Sequence, residues 1–213
     1  MSVSPSQLGR PVGADGEQTR ARIITAAMRC VAEGGYARAT IREIARAADM
    51  TSGSLYHYFP NKSELLEATV NEIDQIALPR LRSAAAQVDD IVDRLAAVLD
   101  ESSRLMRDYP YLAAFERAMR VAGNEYRSGG RLHHPGLKAL RDTITEAIGN
   151  AHEQGALPSG TDPDAAVNAI HALARGLTER AANLGPDAYA ATLDSAKQLL
   201  RGTLFTRAAT SRS

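Results

Sequence analysis

Between residues 40 and 66, TIREIARAADMTSGSLYHYFPNKSELL, the chain starts three helices in close succession, and no other feature constrains its fold as tightly. Thr40-x-x-Glu43 is a capping box, in which the hydroxyl accepts an orphan N–H and the carboxylate reaches back to the cap. It opens a short helix whose inward face is Ile41, Ile44, Ala45 and Ala48. After a tight link at Asp49-Met50, Thr51 caps a third, very short helix that runs to about Phe59 and is ended by Pro60. Asn61-x-x-Glu64 resembles a second capping box. It leads into the stripe Leu65, Leu66, Thr69, Val70, Ile73 and Ile76, up to Pro79, which must kink or end the helix. A longer helix precedes them all, with Ile23, Ile24, Ala27, Met28 and Val31 on one face and a stop at Gly34-Gly35.

One longer helix followed by two short ones with a tight turn between them is the pattern of a helix-turn-helix, whose second short helix enters the DNA major groove. The spacing over 51–59 fits that use. Leu55, Tyr58 and Phe59 share a face that packs on Ala45 and Ala48, while Ser52 with Tyr56 and Gly53 with His57 are i, i+4 pairs pointing away. Short hydroxyls reach base edges or phosphates, Tyr and His bond phosphate oxygens, and glycine permits close backbone approach. A glycine inside a helix costs about 1 kcal/mol relative to alanine, so its use here wants a reason. The competing reading is an aromatic core cluster with capping hydroxyls, in a chain that has no Trp and only 5% aromatic residues. The order of the motifs favours the DNA-facing one.

Net charge is zero, so a polyanionic partner has to be argued from local charge. Residues 1–63 hold eight Lys/Arg against five Asp/Glu, and the remainder seventeen against twenty: a head of +3 on a body of −3. The 44% hydrophobic content is ample for a core. A lone cysteine, Cys30, excludes an internal disulfide and, with no membrane span or signal-type leader, points to a cytoplasmic protein. Residues 1–18, rich in Ser, Pro and Gly, read as a disordered arm.

These residues resemble the DNA-binding segment of TetR/AcrR-type transcriptional regulators: an alanine-rich second helix, a Leu-Tyr-x-x-Phe recognition helix and an Asn-Lys entry to the fourth helix. The motif resemblance covers about residues 19–70. It implies a homodimer on palindromic operator DNA, with a divergent carboxy-terminal domain that binds a small molecule and usually forms the dimer interface; repression is the expected sign, with activation as the alternative. By position it implies that Thr40 touches phosphate and Arg42 reaches a base or phosphate. Thr51, Ser52, Gly53 and Ser54 would lie at the groove end of the recognition helix, and Tyr56 and His57 would contact phosphates or a thymine methyl. Lys62 would hold the DNA backbone where exposed helix N–H groups also favour an anion, and Leu55, Tyr58 and Phe59 would be structural. An arm carrying Gly9-Arg10-Pro11 could place an arginine in the minor groove, as other helix-turn-helix arms do.

Beyond Pro79 the pattern stays helical. Stripes at 91–106, 110–119, 137–151, 163–183 and 186–205, broken by a polar loop over 124–134 and by Gly155 and Gly185, bring the total to about nine helices with no sheet. The expected organisation is an arm (1–18), a helix-turn-helix domain (19–64) and a helical effector-binding and dimerisation domain (65–207). No metal, cofactor or catalytic signature stands out. His133-His134 reads as loop, and Cys30 as a packed thiol without a base, so an enzyme has little support. A buried cavity between helices is the expected effector site, with Met106, Tyr109, Phe115, Met119 and His171 as candidate walls and a small, mostly apolar effector as occupant. In the last two helices, Ala174, Gly176, Ala181 and Ala182 with the stripe Tyr189, Leu193, Ala196, Leu200 and Leu204 form the expected dimer face. Two alternatives stay open: a constitutive DNA-binding dimer without effector, and a helical carrier or enzyme that does not bind DNA.

Overall fold

The computed structural model describes residues 12–125 and 137–205, and within them the chain is all-α: nine helices and no strand. In order these are α1 (Val12–Arg38), α2 (Ile41–Ala47), α3 (Ser52–Tyr56), α4 (Lys62–Ala85) and α5 (Ile91–Asp108). Then follow α6 (Leu112–Glu125), α7 (Leu137–Glu153), α8 (Pro163–Ala181) and α9 (Pro186–Leu200).

The helix starts follow their caps. Glu43 N–H donates to Thr40 Oγ1 (3.2 Å) while Glu43 Oε2 accepts from Thr40 N–H (3.0 Å), closing the capping box. Ser54 N–H donates to Thr51 Oγ1 at 3.1 Å, and Glu64 N–H to Asn61 Oδ1 at 2.9 Å. The second box is only half a box, because Glu64 takes the Asn61 side-chain amide and not its backbone N–H. Asp162 and Pro163 open α8 in the expected way, the carboxylate accepting from Asp164 and Ala165.

Several helix boundaries differ from the sequence expectation. α1 is helical from Val12, so residues 12–18 belong to it and not to an arm; Arg10 lies outside the described residues, as do His133 and His134. The Gly34-Gly35 stop is present as a break, with Gly35 at φ 79°, ψ 166°, after which one more turn reaches Arg38. Of the two expectations at Pro79, a kink or an end, the end does not occur: α4 runs on to Ala85. A proline removes one ladder bond, but buried Ala77, Leu81, Ala84 and Ala85 on either side hold the turns against α5 and α7. The last helix stops at Leu200: Gly202 (φ 67°) and the bonds Gly202 N–H to Leu199 O and Thr203 N–H to Gln198 O make a Schellman cap, leaving Phe205 exposed.

α1 lies against α2, α4 and α6; α4 against α5 and α7; α8 against α7, α6 and α9. One hydrophobic cluster runs from Ile23 and Val31 through Leu55, Phe59, Leu65 and Leu66 to Leu81, Phe115, Ile144 and Ala196. The expected division after residue 64 falls inside α4, which serves both ends of that core. The dimer stripe expected on α9 is spent in the same cluster. Leu193 and Ala196 are buried within the protomer, as is Ala174 on α8, because these faces turn toward α5 and α7.

The turn between α2 and α3 is made without glycine. Asp49 takes φ 54°, with Met50 N–H on Ala45 O (3.0 Å) and Asp49 N–H on Arg46 O (3.2 Å), a Schellman cap that has an aspartate at the left-handed position. Asp49→Val should therefore lower stability by about 1–2 kcal/mol in thermal or denaturant unfolding, whereas Asp49→Gly should not lower it.

Candidate nucleic-acid interface

α3 stands on two sealed side chains one turn apart. Leu55 (0% exposed) and Phe59 (4%) enter the cluster formed by Ile44, Ala45 and Ala48 of the preceding helix and turn, Ile23, Ala27 and Val31 of α1, and Leu65 and Leu66 of α4. Arg29 on α1 donates to the Ala47 carbonyl, and Arg20 lies 5.1 Å from the Phe59 ring centroid, so α1 clasps both ends of the motif. Tyr58, expected in this core, is not there: 39% of it is exposed. Regular helix ends at Tyr56, and Tyr58 N–H bonds back only three residues to Leu55 O, a tighter turn that carries residue 58 off the buried stripe.

The opposite side presents Gly53, Ser54, Tyr56 (53% exposed) and His57 to solvent, with Ser52 half-buried at the first helical position. Arg42 is exposed on α2. A Cβ built on Gly53 would meet only Thr51 Oγ1, at an ordinary 3.8 Å, so nothing inside the protomer requires a glycine there. What it provides is backbone accessibility from outside.

Four of the expected contact residues are already engaged. Thr40 gives both its N–H and its hydroxyl to Glu43 Oε2, and the hydroxyl accepts Glu43 N–H in return. A phosphate would have to displace that carboxylate. The Thr51 hydroxyl caps α3 and pairs with Ser54 Oγ at 2.9 Å. Lys62, half-buried, turns its ammonium back onto the Tyr36 carbonyl and sits 4.1 Å from the Tyr36 ring centroid. Burial pulls its pKa down, against the opposing pull of Glu43.

Glu43 is held below the ordinary carboxylate range, first by the Thr40 backbone N–H and then by its hydroxyl. Cys30 is half-buried and burial pushes its thiol up, which disfavours a thiolate nucleophile. Among the described residues, no group of three or more His, Cys, Asp and Glu is placed to hold a metal, and no helix is long and apolar enough to cross a membrane.

Residues 23–69, from the middle of α1 into α4, match the model for bacterial regulatory proteins of the tetR family. The chain is 30% identical over 182 residues to the HTH-type transcriptional regulator TtgR of Pseudomonas putida, covering 78% of this chain and 81% of that one. This chain belongs to the TetR family. It is also 34% identical over 96 residues to the HTH-type transcriptional repressor KstR of Mycobacterium tuberculosis, over 45% of this chain and 43% of that protein. In fold it resembles the regulator FadR of Bacillus subtilis, solved in complex with stearoyl-CoA, with TM-score 0.72 and 21% identity over 87% of this chain and 99% of that one. As a TetR-family member the chain is a DNA-binding transcriptional regulator, and its relatives are regulators and not enzymes.

The five residues expected to line one effector pocket do not come together in this TetR-family regulator. Phe115 (0% exposed) and Met119 (1%) are sealed in the core. His171 lies on an open groove between α6 and α8, with Arg120 and Glu179. Met106 borders a void of about 20 Å³ inside the body, and Tyr109 borders a cavity of about 370 Å³ between α1, α4 and the α5–α6 link. Helical stripes give the buried face but not where packing leaves space, and so the spread is not legible in sequence.

Gly53→Ala should raise stability by about 0.5–1 kcal/mol, because it removes helix-interior glycine with no clash, and yet weaken operator binding in a gel shift. A Glu43 whose folded pKa is depressed stabilises the motif above its unfolded pKa and loses that contribution as pH falls through the folded one. Amide exchange at residues 40 and 43 should therefore accelerate on acidification beyond the effect of pH on intrinsic exchange, and Glu43→Gln should abolish that excess.

Proposed function

We propose that the chain is a homodimeric repressor that sets two copies of α3 into successive major grooves of a palindromic operator and is released by a small-molecule effector, in a cytoplasmic setting. The observation that carries it is the exposed face of Gly53, Ser54, Tyr56 and His57, which no intramolecular packing uses, held on sealed Leu55 and Phe59. Arg42 and Ser52 flank that face and would share phosphate and base contacts. Thr40, Thr51 and Lys62 would position DNA after exchanging their present partners. In this reading residues 19–64 act as the reading head and residues 65–207 as the effector-binding and dimerisation body.

Repression and release fit the relatives: KstR is named a repressor, and FadR is seen with stearoyl-CoA. Dimerisation through the last two helices fits their outward faces. On α8, Ala165, Ala169, Ala172 and Gly176 form an exposed stripe at i, i+4, i+7 and i+11; on α9, Ala188, Ala191, Ser195 and Leu199 form another. Such stripes let helices of a second copy approach closely. Release needs the effector to prefer one form of the dimer, by about 10⁴-fold for a full swing between 1:99 and 99:1.

In a gel shift with DNA from upstream of its own gene, the wild type should be retained, and Tyr56→Ala or Lys62→Ala should weaken retention about tenfold or more. Absence of retention at every salt concentration would leave the carrier or enzyme alternative. Ala169→Arg or Ala191→Glu should convert a dimer to a monomer in sedimentation without loss of helical signal.

A further inference from the structure

The cavity beside Tyr109 and the small void beside Met106 share three wall residues, Ala77 on α4, Leu105 on α5 and Leu112 on α6. These shared side chains stand between the two. The outer cavity, about 370 Å³, opens between the head and the body: α1 contributes Ile24, Thr25 and Met28, and α4 contributes Ile73 and Ile76. That volume lies within the roughly 300–1,000 Å³ of small-molecule sites. The inner void, about 20 Å³, reaches the centre of the body, where α4, α5, α6, α7 and α8 meet.

At the inner end lies Glu116. It is 4% exposed, and among the described residues none donates a hydrogen bond to its carboxyl group. Arg120, one turn along α6, gives its guanidinium to Glu179 on α8. Burial drives the Glu116 carboxyl well above the ordinary carboxylate range; the field of Arg120 opposes this and that of Asp74 adds to it. A buried acid left in this condition is costly to keep. It also interrupts the apolar stripe Leu112, Phe115, Met119, where an alanine or leucine would serve packing better.

The walls of the two voids carry three carboxylates, Glu72, Asp108 and Glu116, and no Lys, Arg or His. The outer two are answered from the rim: Arg80 bonds Asp108 at 2.8 Å and Arg20 lies 3.9 Å from Glu72. Glu116 is answered by neither of those pairs. Tyr109 and Tyr111 at the mouth add ring faces suited to a cation.

We propose that the two voids are a single effector site, closed at present by Leu105 and Leu112, that takes an elongated lipophilic cation with its charged end on Glu116 and its tail between α1 and α4. The inference rests on the effector-responsive reading above and names its chemistry. A cation at Glu116 turns an unanswered buried acid into a paired carboxylate. Its tail presses on α1 and α4, the two helices that carry the head, so occupancy and head orientation are coupled through contact.

The test uses the full-length protein and a matched set of probes, decylammonium, decanoate and decanol, below micelle formation. Calorimetry should show decylammonium binding at least tenfold more tightly than either analogue. Glu116→Gln should erase that preference and leave decanol unchanged, while Glu72→Gln keeps it. Ala21→Trp, at an exposed position on the outer wall, leaves the core untouched and should reduce decylammonium binding at least tenfold; its indole, in a chain without tryptophan, reports occupancy by fluorescence. Equal binding of decanoate, a preference that survives Glu116→Gln, or undiminished binding to Ala21→Trp would overturn the proposal. Gel shifts on the same preparations keep the two readings apart. Loss of DNA retention by unliganded wild type sinks the regulator reading whatever the probes do, and decylammonium that binds without releasing DNA sinks the effector role alone.

Discussion

Everything in this molecule depends on α4 being buried at both ends. Its first turns place Leu65 and Leu66, both sealed, beneath α3 and α1; its last turns place Leu81, Ala84 and Ala85 against α5 and α7. At about 1.5 Å per residue, 24 residues span roughly 36 Å, so one rod runs from beneath the recognition helix into the body. α6 makes the second connection, lying along α1. The head is thus joined to the body along two helices, and α3 stands where the packing of α4 and α6 among their neighbours puts it.

The seam between α4 and α5 holds its charge in pairs. Glu101, largely buried on α5, is pushed up by burial, but Arg104 (2.5 Å) and Arg80 (2.6 Å) outweigh that and hold it below the ordinary carboxylate range. Arg80 follows directly on Pro79 and also bonds Asp108. The stretch of α4 that lacks a backbone donor is thus clamped from outside by an arginine with two acidic partners, which helps explain why the helix passes through its proline. Glu116, sealed a few residues into α6, has no such partner among the described residues.

Local chemistry is the legible part. Caps at Thr40, Thr51, Asn61 and Asp162 and the breaks at Gly35 and Gly155 are interactions among residues a few positions apart, and the structure has all of them. The exposed face of Gly53, Tyr56 and His57 follows from helical periodicity for the same reason. What sequence could not give is decided by tertiary packing. Tyr58 leaves the core because a tight turn rotates it; Leu193 and Ala196 face inward because α5 is there to meet them; and the candidate wall residues disperse among three voids and the sealed core. Glu116 does carry a signal in the sequence: a carboxylate four residues after Leu112 and three before Met119 stands on the apolar stripe of its helix. The lysine at position 62 has the place of a phosphate clamp, and its own chain has claimed it first.

That last contact bears on thermodynamics at the operator. A lysine that neutralises a phosphate releases counterions, and each such contact steepens the fall of affinity with ionic strength. Lys62 has to leave the Tyr36 carbonyl before it can meet a phosphate, so its contact would steepen the slope like any other while returning less affinity than a lysine that starts in solvent. In the DNA-free protein the same contact fastens the last turns of α1 to the first turn of α4, and it is restored as rising ionic strength weakens the grip on nucleic acid.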